Sequence, residues 1–202
     1  MTIVEDRPEA GGEAAARKAM IDSQLRTSGV NAAYVLARMS SVPREDFVPA
    51  GARGIAYIDR AIALGHGRYL AAPVVHGLML QEARPGESDK ALLVDGGSGY
   101  LAELVRPLVG SLEVISPADA VAGSRKGGDF TLLLIDGAIE QLPDALVHRL
   151  AGGARVVCGI LRNGLTRLAT GRKAAAEVGL FPLAEIGIPV LPEFAAKKGW
   201  SF

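Results

Sequence analysis

Cysteine occurs once in the 202 residues, as Cys158, which excludes an intrachain disulfide and a cysteine-based zinc site. Histidine occurs three times, at His66, His76 and His148, without metal-ligand spacing, so no metal is expected. Charge of either sign is not in excess: 22 Lys and Arg meet 22 Asp and Glu. That balance offers no footprint for nucleic acid or an anionic membrane. Aromatic residues make up only 5% of the chain, and no apolar run approaches the length of a membrane-spanning helix. The opening MTIVEDRPEA is acidic and lacks the apolar centre of a signal peptide. A soluble protein of the reducing cytoplasm is expected.

Hydrophobic residues are 49% of the chain, enough for an ordinary folded core. Residues 1–12 read as a disordered tail. An Ala-rich helix over 13–27 and a second helix capped by Asn31 precede a short turn begun by Pro43. After a Gly-containing stretch over 48–72, Pro73 opens another helix. The pattern changes near Pro85 and Gly86. From there apolar strands are expected at 91–94, 112–115, 131–135 and 155–160, alternating with helices, one of them running from Pro143 towards Gly152. The end of the chain, 165–172 and 181–191, reads as an antiparallel pair. The resulting division is a tail (1–12), a helical cap with a loop (13–86) and an α/β core with a parallel sheet (87–202).

DGGSGY at 95–100 lies between a buried strand and a helix. Glycines there allow a tight turn and close approach of a ligand, and strand–Gly loop–helix is the usual setting of a nucleotide-type site. The alternative is a plain βα turn. Asp95 would repel a pyrophosphate but not a sulfonium or ammonium, and the Gly-Lys-Ser/Thr ending of an ATP loop is missing. These features favour S-adenosylmethionine over NAD or ATP.

Five strings, in order, carry a resemblance: MIDSQLRTSGV (20–30), VPREDFVP (42–49), AYIDRAIALGHGRYLAAP (56–73), LLVDGGSGY (92–100) and DFTLLLIDGAIEQLPDALVHRLAGGARVV (129–157). Together they resemble the protein-L-isoaspartate O-methyltransferase family. The resemblance implies a Rossmann-like class I methyltransferase sheet with a helical N-terminal cap and antiparallel C-terminal strands. It also implies methyl transfer from S-adenosyl-L-methionine to the carboxylate of isoaspartyl residues in damaged protein. No catalytic acid or base is needed for this, because the free carboxylate is already ionised at neutral pH.

On that resemblance Asp95, Gly96, Gly97, Ser98 and Gly99 are the cofactor-binding residues, and His66, Arg68, Tyr69, Ala71 and Asp136 line the substrate side. The chain also departs from the family pattern. Val94 stands where the family has a strand acid, and Asp95 stands where its first loop glycine falls. Tyr69 and Ala71 replace hydroxyl-bearing residues, with Arg68 offering a charged fork for a carboxylate instead. EVISPADAVAG (113–123) resembles the later of two family strands. On that reading the sheet is short of one strand–helix unit, the one that grips the ribose, and Asp119 is a solvated loop residue. The departures leave a second expectation open: a non-catalytic relative, binding no cofactor and serving as a structural or protein-interaction module.

Overall fold

The structure is a computed structural model and describes residues 10–123 and 128–196. Most of the expected tail, and the C-terminal Trp200 and Phe202, lie outside the described residues. The described chain opens with α1 (Ala10–Met20), so helix begins three residues before the expected tail boundary. A π-type turn at Ile21–Leu25 continues it, burying Ile21 and Leu25. Next comes α2 (Ala33–Ser41). Asn31 does not cap it. The Gln81 side chain reaches over from the third helix and accepts hydrogen bonds from the Asn31 and Ala32 amides at 2.9 and 3.0 Å. A long-range acceptor has replaced the local one.

Two 3-10 turns, Arg44–Phe47 and Ala50–Ile55, lead into the hairpin β1 (Ile62–Gly65) and β2 (Arg68–Leu70). Pro73 then occupies the first turn of α3 (Pro73–Ala83), where its missing N–H costs nothing. The core follows as β3 (Lys90–Val94), α4 (Tyr100–Val105), β4 (Ser111–Ile115), α5 (Pro117–Ala122) and β5 (Phe130–Ile139). The chain then runs through α6 (Asp144–Val147), β6 (Leu150–Arg162), β7 (Leu165–Ala174) and β8 (Glu177–Glu185).

The six-stranded sheet has the order β4-β3-β5-β6-β7-β8, parallel through β6 and antiparallel beyond it. Period-two alternation sorts the strands onto two cores. Ala91, Leu93, Leu132, Leu134 and Val157 pack with the cap helices on one face. Leu92, Val94, Leu133, Ile135 and Cys158 pack on the other with residues of α5, α6 and the C-terminal segment. The Cys158 thiol is buried there, and burial pushes its pKa up to about 12.

Three expectations are corrected. Strand β4 pairs directly with β3, Val94 opposite Ile115, so the position beside the glycine-loop strand is filled. In a doubly wound sheet that inner position belongs to the strand after the first crossover. The unit absent from this sheet is the outermost one, and the ribose-side strand is present. The helix from Pro143 lasts only four residues, because Leu150 already pairs with Phe130 and draws the following glycines into β6. The final antiparallel hairpin turns within the expected linker, between Ala174 and Glu177, but its second strand starts at Glu177 and ends at Glu185, and the residues after it leave the sheet to lie beside β5 through an Ala138–Val190 bridge. No helix among the described residues is long and apolar enough to cross a membrane.

Candidate donor and substrate site

Strands β3 and β4 end together opposite Ile135 of β5, which runs on to Ile139, and the loop 95–99 lies at that edge, where open α/β sheets bind ligands. Asp95 organises the loop from within. Its two carboxylate oxygens accept hydrogen bonds from the Gly97 amide at 3.1 Å and the Gly99 amide at 2.9 Å. Ser98 Oγ accepts from the Tyr100 amide at 3.1 Å, and the Asp95 amide donates to the Ile115 carbonyl at the end of β4. Burial, opposed by the Gly99 amide and reinforced by the negative charge of Asp136, holds Asp95 above the ordinary aspartate range.

Gly96 faces the neighbouring strand end so closely that a Cβ would run into the Asp136 carbonyl oxygen. Gly97, at φ +110°, lies under the Arg68 side chain, whose methylenes sit 3.1–3.3 Å from where a Cβ would be. The Arg68 guanidinium is paired with Glu193 in the C-terminal 3-10 turn, a residue to which no role was assigned from sequence.

Behind the loop lies a buried polar array. Arg44 and His76 are fully buried and Asp136 nearly so. Arg44 donates through Nε to the Ala56 carbonyl at 2.8 Å, through Nη2 to the Ala71 carbonyl, and through Nη1 to His76 Nδ1 at 3.3 Å. The other imidazole nitrogen, Nε2, lies 2.9 Å from Asp136 Oδ1. Burial is the main reason that the Arg44 guanidinium is held below its ordinary pKa. Its plane also lies over the Tyr100 ring, 5.1 Å from the centroid, while Phe47 meets the same ring edge-on at 5.2 Å. Beside it, Tyr57 donates to Glu45 and accepts from Arg17 Nε at 2.7 Å. The VPREDFVP string thus ties the cap to the first turn of the loop helix. Arg44 and Glu45 of this string are internal and Asp46 is exposed, which explains two charged residues within an apolar core.

Of the residues expected on the substrate side, Arg68 and Asp136 meet the loop. Ala71 is buried and contributes its carbonyl to Arg44 rather than facing a ligand. Tyr69, alternating with Arg68 along β2, is 44% exposed and lines a groove of about 560 Å³ between the hairpin and Ile186–Pro189. His66 sits at the hairpin tip in an exposed turn with φ +51°, away from the array. Arg44, His76 and Glu193 were missed: Arg44 and His76 look like surface chemistry until the fold buries them, and Glu193 is far away in sequence.

At the end of β4 stands Ser116, not an acid. Its hydroxyl caps α5, accepting from the Asp119 amide at 3.1 Å and donating to the Asp119 carboxylate at 2.6 Å. Asp119 is therefore a residue of α5 at the ligand edge and not part of a structureless loop. Among the described residues no group of three or more His, Cys, Asp or Glu is arranged to hold a metal.

The family model "Protein-L-isoaspartate(D-aspartate) O-methyltransferase (PCMT)" matches residues 15–117. A protein-L-isoaspartate O-methyltransferase of Koribacter versatilis is 30% identical over 195 residues, covering 85% of this chain and 88% of the relative. One from Aeropyrum pernix is 36% identical over 175 residues, covering 72% and 66%. Among solved structures, a Plasmodium falciparum chain described as a protein-L-isoaspartate O-methyltransferase in complex with S-adenosyl-L-homocysteine superposes with a TM-score of 0.70. It is 18% identical over 90% of this chain and 98% of that one, a likeness of fold.

Proposed function

The chain belongs to the protein-L-isoaspartate(D-aspartate) O-methyltransferase family, and from that premise we propose that it methylates isoaspartyl carboxylates in damaged protein, with S-adenosyl-L-methionine as donor. Asp95 carries this reading. In a loop built for phosphate the backbone N–H groups point at the ligand. Here the Gly97 and Gly99 amides are already spent on Asp95, and the Tyr100 amide on Ser98. An anion approaching the loop would meet a carboxylate; a cation would meet its counter-charge. That donor set fits the positively charged methionine end of S-adenosylmethionine and disfavours a pyrophosphate.

Asp95, Gly96, Gly97, Ser98 and Gly99 would hold the donor, with Ser116 and Asp119 at the adjoining strand end on the nucleoside side. When bound, the donor supplies an electrophilic methyl group on a sulfonium. The protein's part is to bind, align and exclude water. Arg68 offers two parallel N–H donors to the isoaspartyl carboxylate in exchange for Glu193. The groove beside Tyr69 suits the flanking peptide. No side chain need remove a proton, since the nucleophile is a carboxylate already ionised, so catalysis rests on alignment and desolvation. On this reading residues 13–86 contribute the substrate side and 87–202 the donor side, and the targets are soluble proteins of the cytoplasm.

The non-catalytic alternative rested on two departures, the missing strand acid and the missing ribose-side strand; β4 occupies the position of the second, while Val94 still stands in place of the first. The test is calorimetric titration with S-adenosylhomocysteine followed by methyl transfer to an isoaspartyl peptide. Binding with turnover is expected; silence in both would overturn the reading.

A further inference from the structure

The line Arg44–His76–Asp136 does more than fill space behind the loop. A guanidinium only donates hydrogen bonds, so His76 Nδ1, 3.3 Å from Arg44 Nη1, is an acceptor. The ring hydrogen therefore sits on Nε2 and points at Asp136 Oδ1, 2.9 Å away. With one carboxylate oxygen so fixed, the other, Oδ2, is turned towards the donor loop, 3.5 Å from Ser98 Oγ. The residues come from four separate elements: the 3-10 turn after Pro43, α3, β5 and the loop. The side chains of Arg44, His76 and Asp136 are held by fixed partners in the interior, with Ser98 half-buried at its rim, and there a charge acts over several ångströms with little screening.

The charges in this interior do not cancel. Arg44 balances one carboxylate, and the imidazole, accepting on one nitrogen and donating on the other, is neutral. Asp95 and Asp136 each follow the last pair between β3 and β5, Val94 with Ile135, and the hydrogen-bond donors to Asp95 are backbone amides. Arg68 over Gly97 is balanced by Glu193, so among the described residues one negative charge is left at the loop without a cation of its own.

We propose that Asp136, aimed by His76 as a positioning residue, makes the crevice selective for the positive charge of the methyl donor, so that the sulfonium is held and the neutral thioether left after transfer is released. This rests on the donor assignment above. Methyl transfer removes the sulfonium charge while leaving the amino acid and nucleoside parts unchanged. A carboxylate field that acts on the sulfonium therefore separates S-adenosylmethionine from S-adenosylhomocysteine, whereas contacts to the common parts do not.

The full chain and the variants Asp136→Asn, His76→Gln and His76→Leu are titrated calorimetrically with each compound. Asp136→Asn is expected to weaken S-adenosylmethionine roughly tenfold and S-adenosylhomocysteine only about twofold or less. His76→Leu is expected to follow it, and His76→Gln, whose amide nitrogen reaches the place of Nε2, to restore the discrimination. A merely structural role for His76 predicts equal loss for both ligands. Should His76→Leu fail to fold, Asp136→Asn and His76→Gln still decide. Equal weakening of both ligands by Asp136→Asn, or no change in either, overturns this inference alone. A wild-type chain that binds neither overturns the donor assignment and this inference with it.

Discussion

Arg68 and Glu193 form an ion pair over Gly97, joining a hairpin strand to a C-terminal turn 125 positions away. The pair puts a carboxylate where the proposed substrate presents one, so the protein's own Glu193 competes with the isoaspartyl group for the same guanidinium. Glu193→Gln is expected to lower KM for an isoaspartyl peptide with kcat nearly unchanged. Arg68→Met, which keeps the methylenes over Gly97 and removes the fork, is expected to raise KM roughly tenfold or more. Steady-state kinetics with the peptide varied separates the two. An unaltered KM in Arg68→Met would remove Arg68 from substrate binding.

Donor binding is expected to weaken in acid because of Asp95. Burial first, and then the neighbouring charge of Asp136, raise its pKa, while the Gly97 and Gly99 amides oppose the rise. A carboxyl with a raised pKa takes up its proton early as the pH falls, and protonation removes the counter-charge that a sulfonium meets. A bound cation favours the ionised form, so binding expels protons in that range. Titration over a descending pH series from about 8 into the carboxylate range, in buffers of different ionisation enthalpy, should show both the loss of affinity and the released proton. Affinity that is flat across this range contradicts the assignment of Asp95.

Asp89 works in the opposite sense and on stability. Burial pushes its pKa up, but hydrogen bonds from Thr131 Oγ1, the Gly86 amide and Arg155 outweigh it and hold the carboxyl below its ordinary value. A depressed folded-state pKa means that the stabilisation is fully present above the unfolded value and is lost as the pH falls through the folded one. Asp89→Asn is expected to cost about 2 kcal/mol at neutral pH and to flatten the acid limb of the stability curve. Urea unfolding at a series of acid pH values measures both. An acid limb identical to that of the wild type would assign the acid sensitivity to other carboxylates.

Local chemistry made much of this architecture readable. The apolar run 91–94, the glycines after it and the helix beginning at Tyr100 follow from neighbours in the chain. So does the start of α3 at Pro73. What escaped depends on pairing across distance. EVIS at 113–116 resembles the later of two family strands, and only the register against β3 places it as the inner one. His76 lies among valines, a glycine and a leucine on an apolar helix, and its partner is 60 positions away. Glycines 152 and 153 look like a helix stop because nothing local announces that Phe130 will recruit Leu150 into the sheet. The glycine loop was legible because one short segment builds it. The polar array behind it was not, because its members meet only after folding.

The closeness of β3 and β5 at the ligand edge makes Gly96 the least replaceable residue of the loop. A Cβ there would overlap the Asp136 carbonyl oxygen, a backbone atom directly after the last β3–β5 pair, Val94–Ile135, that cannot swing aside as a flexible side chain would. Gly96→Ala must therefore push the loop off the sheet edge, at a cost of about 1–3 kcal/mol, and in doing so displace Asp95 from the Gly97 and Gly99 amides. Gly97→Ala meets only Arg68 methylenes, but its φ of +110° strains any side chain, so it is expected to impair donor binding more than stability. Gly152→Ala meets nothing within 4 Å and serves as the neutral control. Urea midpoints of the three variants, read beside their affinity for S-adenosylhomocysteine, should fall in that order: Gly96→Ala low in both, Gly97→Ala low chiefly in affinity, Gly152→Ala like the wild type. A Gly96→Ala chain with wild-type midpoint and affinity would mean that loop and strand end are not in contact, and that Asp95 and Asp136 do not share one crevice.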